Sequence, residues 1–379
     1  MGVENNIPEG WTESVLGDVM DIFSGKSRPK DNGIYPVYGG NGIHSYGDKY
    51  NQQNETLIIG RVGAYCGNVY KENNKFWLSD NALGVKSNED SDLNYLYYKL
   101  KSMKLNNVSI GAAQPLLTQS LLKELEVIIP KKTSEQKAIA KVLTAFDDKI
   151  ELLQAQNKTL ENIAQTIFKE WFGKYQIGDE LPDGWRVGEF GDIAKHVKNN
   201  IKPFENPNKL YHHYSLPAYD DGLRPVTESG SDIKSNKYSV EKNSFLVSKL
   251  NPFTPRIWTI FDSNDLNICS TEFQVVKPNE DNLFSIAHCL LNSKYFTSNL
   301  SQKVKGTSSS HQRVNPEDIF EVDLIIPNKE DLTRFEKLIL PLITKKDINY
   351  NNIESLTKTR DTLLPKLMSG QVRVKNLEN

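Results

Sequence analysis

The pattern that most constrains this chain runs from Ile139 to Trp171. Side chains there recur at alternating spacings of four and three: Ile139, Leu143, Phe146, Ile150, Leu153, Asn157, Leu160, Ala164, Ile167 and Trp171. Such a seam predicts a long helix that buries one stripe against another helix, with Asn157 as its polar break. A shift of 196 positions, which carries Ile139 onto Phe335, gives a second seam with three polar interruptions: Phe335, Ile339, Leu342, Lys346, Asn349, Ile353, Leu356, Arg360, Leu363 and Leu367. The chain contains its long helix twice. The apolar members of the two seams are the expected helix-pairing residues, and Asn157, Lys346, Asn349 and Arg360 are expected to fix their register at some cost in stability.

The duplication extends beyond the helices. Ile7-Pro8-Glu9-Gly10-Trp11, followed by Leu16-Gly17-Asp18-Val19, recurs as Leu181-Pro182-Asp183-Gly184-Trp185, followed by Phe190-Gly191-Asp192-Ile193. Each half then runs through a Gly-rich loop to a strand, Gly111-Ala112-Ala113-Gln114 to Ile128-Ile129-Pro130 and Gly306-Thr307-Ser308-Ser309 to Ile325-Ile326-Pro327. Between these marks, short apolar runs alternate with Gly, Asn and Pro clusters, the texture of short strands and tight turns. Val19 to Phe23, Tyr35 to Tyr38, Leu57 to Ile59, Gly67 to Tyr70, Phe76 to Leu78 and Leu83 to Val85 are the expected strands of the first half. Leu210 to Ser215, Phe245 to Val247, Trp258 to Phe261 and Phe273 to Val276 are those of the second. One helix is expected in each, with Leu93, Leu96, Tyr97 and Leu100 on one face in the first half and over Leu283 to Leu291 in the second. The fold class is α/β of the α+β kind. The expected order is a first domain over 1–132, a long helix over 133–174, a second domain over 175–327 and a second long helix over 328–379.

Thr133 stands three residues before Gln136, a capping-box spacing that starts the first helix. A helix of roughly 40 residues is about 60 Å long, more than one small domain needs, so it reads as a spacer. Asn328 and Asp331 form a weaker cap for the second helix. Pro341 is expected to kink or break it, and Leu363 to Leu367 to mark its fraying end.

Length allows two domains with cores of their own. No apolar run of about 18 residues is present and the N-terminus lacks a basic, apolar leader, so neither a membrane span nor a signal peptide is expected, nor N-myristoylation with Asn at position 6. Cys66, Cys269 and Cys289 lack paired ligand spacing, which argues against a disulfide framework or zinc site and for a reducing cytoplasm. The formal charge of −2 places any nucleic-acid binding in local patches or in partners.

Two like helices paired antiparallel would give the chain an approximate two-fold relation between unlike halves. Duplex DNA has the matching symmetry, and unlike halves imply unlike half-sites in a two-part, asymmetric target. At this level the residues resemble the specificity subunits of type I restriction-modification systems. The resemblance rests on the paired Pro-x-Gly-Trp openings, Tyr38-Gly39-Gly40-Asn41-Gly42-Ile43, Ile59-Gly60-Arg61-Val62-Gly63-Ala64-Tyr65-Cys66-Gly67, Ser79-Asp80-Asn81-Ala82 and Leu363-Leu364-Pro365-Lys366-Leu367-Met368-Ser369-Gly370. In the second half, Tyr214-Ser215-Leu216-Pro217-Ala218 and Phe245-Leu246-Val247-Ser248-Lys249-Leu250-Asn251-Pro252 are similar to the family's other recognition domain.

The resemblance implies two target-recognition domains held apart by an antiparallel helical spacer. It further implies two methyltransferase subunits, which use S-adenosylmethionine, and two restriction-translocase subunits, which use ATP and Mg. This chain would be a non-catalytic subunit with no cofactor of its own.

The motifs of catalysis are incomplete. Gly25-Lys26-Ser27 resembles the end of a P-loop, but position 20 is Met where that motif needs Gly, so it reads as a strand-end turn. Leu250-Asn251-Pro252-Phe253 lacks the second Pro of the adenine methyltransferase signature, and no Gly-rich cofactor loop accompanies it. His212, His213 and His311 have no Glu or Cys at metal-ligand spacing. Base readout calls for Arg, Lys, Asn and Gln on loops that reach the major groove. The candidates are Arg61, Tyr65, Lys71 and Gln114 in the first half. In the second they are Lys249, Asn251, Arg256, Ser308, Ser309, Ser310, His311, Gln312 and Arg313. The competing readings are a coiled-coil scaffold that binds something other than DNA, favoured by the charge, and an active methyltransferase.

Overall fold

The computed structural model describes residues 7–109, 115–304 and 312–374. The chain divides into two compact units, Met1–Leu152 with Asn352–Asn379 and Leu153–Asn351, so each long helix is shared between them. Each unit carries the same three layers of strand pairing. In the first unit an antiparallel sheet of four strands runs in the order Met20–Ser24, Ala82–Ser87, Thr56–Gly60, Val69–Glu72. The second unit repeats it as Ala194–Val197, Phe273–Pro278, Ser244–Ser248, Ile257–Ile260. These strands were legible because their central residues, Leu57, Ile58, Ile59 and Phe245, Leu246, Val247, are buried in unbroken runs.

A second sheet pairs Asp31–Gly39 antiparallel with Gly42–Gly47 and parallel with Trp77–Leu78, where Tyr38 faces Leu78. Its counterpart pairs Leu210–Tyr214 antiparallel with Val226–Ser229 and parallel with Asn267–Cys269, where Tyr214 faces Cys269. This second copy is extended by Lys237–Ser239 and Asn200–Ile201, strands too short and polar to stand out in the sequence. Finally, Trp11–Val15 pairs with Glu126–Pro130, and Arg186–Glu189 with Asp323–Ile326.

The Pro-x-Gly-Trp openings are turns that dock a tryptophan on a long helix. Gly10 and Gly184 hold φ of 78° and 77°, a conformation open to glycine, and the amides of Trp11 and Trp185 donate to the carbonyls of Pro8 and Pro182. The indoles then donate to acids in the first helical turn, Trp11 Nε1 to Glu135 at 3.2 Å and Trp185 Nε1 to Asp331 at 2.9 Å.

The long helices run Thr133–Phe172 and Lys329–Met368, 40 residues each. Three details differ from the sequence expectation, while the expected cap at Asn328 forms. Thr133 and Gln136 make no capping box. Instead the Gln136 side chain is buried, accepts from the Asp92 amide and donates to the carbonyl of Pro130, tying the helix to the loop before Leu93–Ser102. Asn328 is a true cap, its Oδ1 accepting from the Asp331 amide at 2.9 Å. The second helix continues through Pro341, an exposed position, because Phe335, Ile339 and Ile343 on the opposite face are buried. Burial of roughly 1.5 to 3 kcal/mol per large side chain offsets the cost of about 3 kcal/mol that a proline inside a helix carries through its missing N–H and ring clash. Nor does that helix fray at its end. Leu367 and Met368 are buried, Lys99 Nζ donates to the Met368 carbonyl at 3.2 Å, and Gly370 turns at φ 73° against Pro8 and Trp11. Burial pushes Lys99 down to about 8.

The seam residues serve two purposes. Ile139 and Leu143, with Leu363, Leu367 and Met368, complete the core of the first unit, while Ala164, Phe172, Phe335, Ile339 and Ile343 complete that of the second. Only the central stretch, with Ile150, Leu153, Asn157, Asn349 and Ile353 buried, lies outside the main clusters. Phe146, Leu160, Ile167, Leu342, Leu356 and Leu363 are half-buried, and Ile343 rather than Leu342 is the inward residue of its turn. In the short domain helix, Tyr95 and Tyr98 are buried and Tyr97 is not fully so.

Pairing is antiparallel within each unit. In the first, Arg360 meets Asp147 at 2.5 Å, and the Tyr98 hydroxyl donates to the same carboxylate at 2.7 Å. In the second, Asn349 Nδ2 donates to Asn157 Oδ1 at 2.9 Å, and Lys346 meets Glu161. Glu161 also faces the buried His288 at 3.3 Å, whose other ring nitrogen meets Thr259. All four polar seam residues thus have partners across the pair.

Burial favours a higher pKa for Glu161, but His288 and Lys346 outweigh it and hold the carboxyl well below the usual carboxylate range. Burial pushes His288 down, against the pull of Glu161. Both folded values lie below the unfolded ones. Glu161 therefore contributes stability above the ordinary carboxylate pKa of about 4.3 and loses it as pH falls. His288 costs stability once pH drops below about 6.5, where the unfolded chain takes up the proton that the buried ring refuses. Thermal unfolding followed from about pH 8 to about pH 5.5 should show a falling Tm. The His288→Gln variant should show a shallower fall over that range; an unchanged slope would contradict this assignment.

Candidate nucleic-acid interface

The four-stranded sheets end in a hairpin loop that has the same length in both units and shares a set of backbone bonds. Strand Thr56–Gly60 turns through Arg61 to Asn68, and strand Ser244–Ser248 through Lys249 to Arg256, eight residues each. The Arg61 amide donates to the carbonyl of Asn81 at 3.0 Å, as the Lys249 amide does to that of Glu272 at 3.0 Å. The carbonyl of Arg61 accepts from Leu117 at 2.9 Å, as that of Lys249 accepts from Val314 at 3.1 Å. Two positions on, the Gly63 amide donates to Pro115 and the Asn251 amide to Gln312. Inside the loops, Cys66 N to Gly63 O at 3.0 Å matches Thr254 N to Asn251 O at 2.9 Å. Gly63 and Asn251 both have positive φ, 76° and 52°, and Asn is among the few side-chain-bearing residues that visit this region readily.

This backbone clamp grips the segment that follows each Gly-rich loop. Val62 bridges Leu116, and Leu250 bridges Arg313. Gln114, Ser308, Ser309, Ser310 and His311 lie outside the described residues, but the chain on their C-terminal side is fixed by these bonds. The strand-edge motif Ser79-Asp80-Asn81-Ala82 also has a counterpart, since the amides of Ser79 and Ser270 donate to Tyr38 and Tyr214. Around the first clamp the Tyr38-Gly39-Gly40 turn comes close. A Cβ on Gly60 would lie 2.5 Å from the Gly40 carbonyl oxygen, so glycine is needed for the approach.

The candidate side chains fall into distinct places. Arg61 and Tyr65 share the first loop, and Nε of Arg61 is buried without a partner among the described residues. Lys71 sits near the far end of the adjoining strand, opposite Leu57, where it meets Glu55 at 2.9 Å and Asn94; the fold does not bring it to Arg61. In the second unit Lys249, Asn251, Gln312 and Arg313 converge, and Arg313 pairs with Glu272 at 2.8 Å. Burial pushes the Lys249 ammonium down. Arg256, at the loop's end, is held by both oxygens of Asp220, at 2.7 and 2.9 Å, which raises its pKa. Oδ1 of Asn251, Nη1 of Arg256 and Oε2 of Glu272 are buried without partners among the described residues.

The sequence reading passed over Phe253. It stands where Tyr65 stands in the first loop, and both rings are exposed, 58% and 49%. The signal that finds it is the loop alignment, which needs the hydrogen-bond pattern. Among the described residues no group of three His, Cys, Asp or Glu side chains could hold a metal, and no helix is long and apolar enough to cross a membrane. His213 instead meets Glu228 at 2.5 Å. Gly25-Lys26-Ser27 follows the end of strand Met20–Ser24, where Lys26 bridges Ser79.

Each unit thus presents a matching loop at one end of its four-stranded sheet. The chain belongs to the family of type I restriction modification DNA specificity domains, whose model matches residues 8–162 and again 182–358. It is similar to the MjaIX specificity subunit of a type I restriction enzyme from Methanocaldococcus jannaschii, 30% identical over an alignment 328 positions long that covers 75% of this chain and 70% of that one. It also resembles a putative type I specificity subunit of Mycoplasma genitalium, 24% identical over an alignment 408 positions long, gaps included, that covers 100% of this chain and 98% of that one. A crystal structure of a type I S subunit from M. genitalium has the same fold, with a TM-score of 0.66 at 20% identity over 97% of this chain and 98% of that one. The chain is thus a DNA-specificity subunit, a reading that the matches favour over a scaffold that binds something else.

Proposed function

We propose that each domain reads one half of an asymmetric, two-part DNA target through its clamp loop and the segment that the clamp grips. The observation that carries this reading is the shared backbone frame with unlike chemistry. One frame presents Arg61, Val62, Gly63 and Tyr65, with Gln114 nearby in sequence; the other presents Lys249, Leu250, Asn251 and Phe253, with Gln312 and Arg313. Identical frames suit two equivalent approaches to the duplex, and unlike side chains suit two different half-sites.

Arg313 is the exposed member of its pair with the half-buried Glu272, so its guanidinium is placed to exchange the carboxylate for a guanine edge. Lys249 and Arg61 serve first as phosphate contacts, which position the protein without reading sequence. In this proposal the chain does no chemistry. Two methyltransferase subunits, carrying S-adenosylmethionine, dock on the helices, and two restriction-translocase subunits supply ATP- and Mg-dependent motion and cleavage in the cytoplasm. Partners would also provide much of the phosphate contact that a chain of charge −2 lacks.

Replacing Gln312 or Arg313 by Ala should relax selection at one base pair of one half-site, by roughly 1 to 3 kcal/mol, and leave the other half-site intact. Methylation-site mapping with the variant complexes checks this, and unchanged selection at every base would remove both residues from the interface. The helices are proposed to set the gap. Inserting four helical residues after Gln154 and four after Asn351 roughly keeps the heptad phase and adds about 6 Å. The gap should grow by about two base pairs with both half-site sequences unchanged; an unaltered gap would contradict the spacer role.

A further inference from the structure

The two clamp loops agree in more than hydrogen bonds. Aligned by those bonds, Arg61-Val62-Gly63-Ala64-Tyr65-Cys66-Gly67-Asn68 lies over Lys249-Leu250-Asn251-Pro252-Phe253-Thr254-Pro255-Arg256. No position is identical, yet four keep their character: a base first, an aliphatic second, a left-handed residue third and an aromatic fifth. The base and the aliphatic residue are explained by the clamp, where Val62 and Leu250 make the bridges. The third is explained by its backbone conformation. The aromatic is explained by neither.

A single exposed aromatic is ordinary on a protein surface. Two at the same place in diverged copies of one loop are a different observation, because drift of the other positions has not removed them. Tyr65 and Phe253 do not pack on another aromatic ring among the described residues, and burial against the core does not retain them either, since about half or more of each ring residue is exposed. Phe253 has no polar atom, so the shared function cannot be a hydrogen bond. What the two rings have in common is an exposed apolar face on a loop that opens with a basic residue and grips the base-reading segment.

We propose that Tyr65 and Phe253 each pack on the C5-methyl group of a thymine in the major groove, one in each half-site, and so select an A·T pair there. This rests on the DNA-reading role proposed above. The chemistry follows from the neighbours. Gln312 and Arg313 bond to the same loop as Phe253 and suit the major-groove edges of adenine and guanine, and the thymine methyl is the apolar group that this groove offers to a ring beside them. A phosphate would suit Lys249 or Arg61 but not a phenyl ring.

The test uses the chain assembled with its methyltransferase partner on the duplex target found by methylation mapping. Phe253→Ala should weaken binding roughly tenfold, with the slope of affinity against salt unchanged, because no phosphate contact is removed. Phe253→Leu, which keeps an apolar contact and the fold, should recover part of the loss. Replacing one thymine of the second half-site by deoxyuridine, which lacks only the methyl group, should weaken the wild type by a similar factor and leave Phe253→Ala unaffected. Tyr65→Ala should behave likewise toward the first half-site alone, with Tyr65→Phe close to wild type. Wild-type affinity in both alanine variants, a loss equal for thymine and deoxyuridine duplexes, or a half-site without an A·T pair would overturn the assignment. A wild-type complex that recognises no duplex target would instead overturn the DNA-reading role itself.

Discussion

Each globular core is completed by helix segments that belong to two different parts of the chain. Without Ile139, Leu143, Leu367 and Met368 the first core would lie open beside Trp11 and Leu122. Without Phe172, Phe335 and Ile339 the second would lie open beside Phe190 and Leu290. Antiparallel pairing of the helices is therefore a condition for folding either unit, and the tryptophan turns at Trp11 and Trp185 lock each domain to the start of a helix. The central turns add polar partners to the buried Ile150, Leu153 and Ile353. Asn157 with Asn349 and Glu161 with Lys346 stabilise less than apolar pairs would, but they penalise a slipped register, in which each would be buried alone.

The same frame that fixes the cores fixes the interface. The clamp is made of backbone bonds, so it tolerates replacement of nearly every side chain on the loop, as the comparison of Arg61 to Asn68 with Lys249 to Arg256 demonstrates. Such a device separates the holding of a loop from what the loop reads. Recognition can then change by exchange of the presented side chains, with no cost to the strands that carry them.

The seams, the repeat and the long buried strands were legible because they are periodic or continuous, and tertiary packing agrees with those local signals. The two short extra strands at Asn200–Ile201 and Lys237–Ser239 were not, since a strand of two or three residues carries no period. Pro341 misled because its local penalty is read without the packing of Phe335, Ile339 and Ile343 on the far side. Gln136 suited a cap by spacing but is spent on a tertiary contact with Asp92. Arg61, Lys249 and Asn251, candidates by residue type, lie in the clamp loops, whereas Lys71 lies near the far end of its strand, opposite Leu57. Phe253 was missed because its meaning lies in equivalence to Tyr65 across a gap of diverged sequence, and hydrogen-bond register reveals that where residue identity does not.

The most direct measurement is the N6-methyladenine pattern of native DNA from a host that carries this chain with its methyltransferase partner, against the same host lacking this chain alone. The account predicts loss of one asymmetric motif in two parts separated by a fixed gap. An unchanged pattern would contradict it.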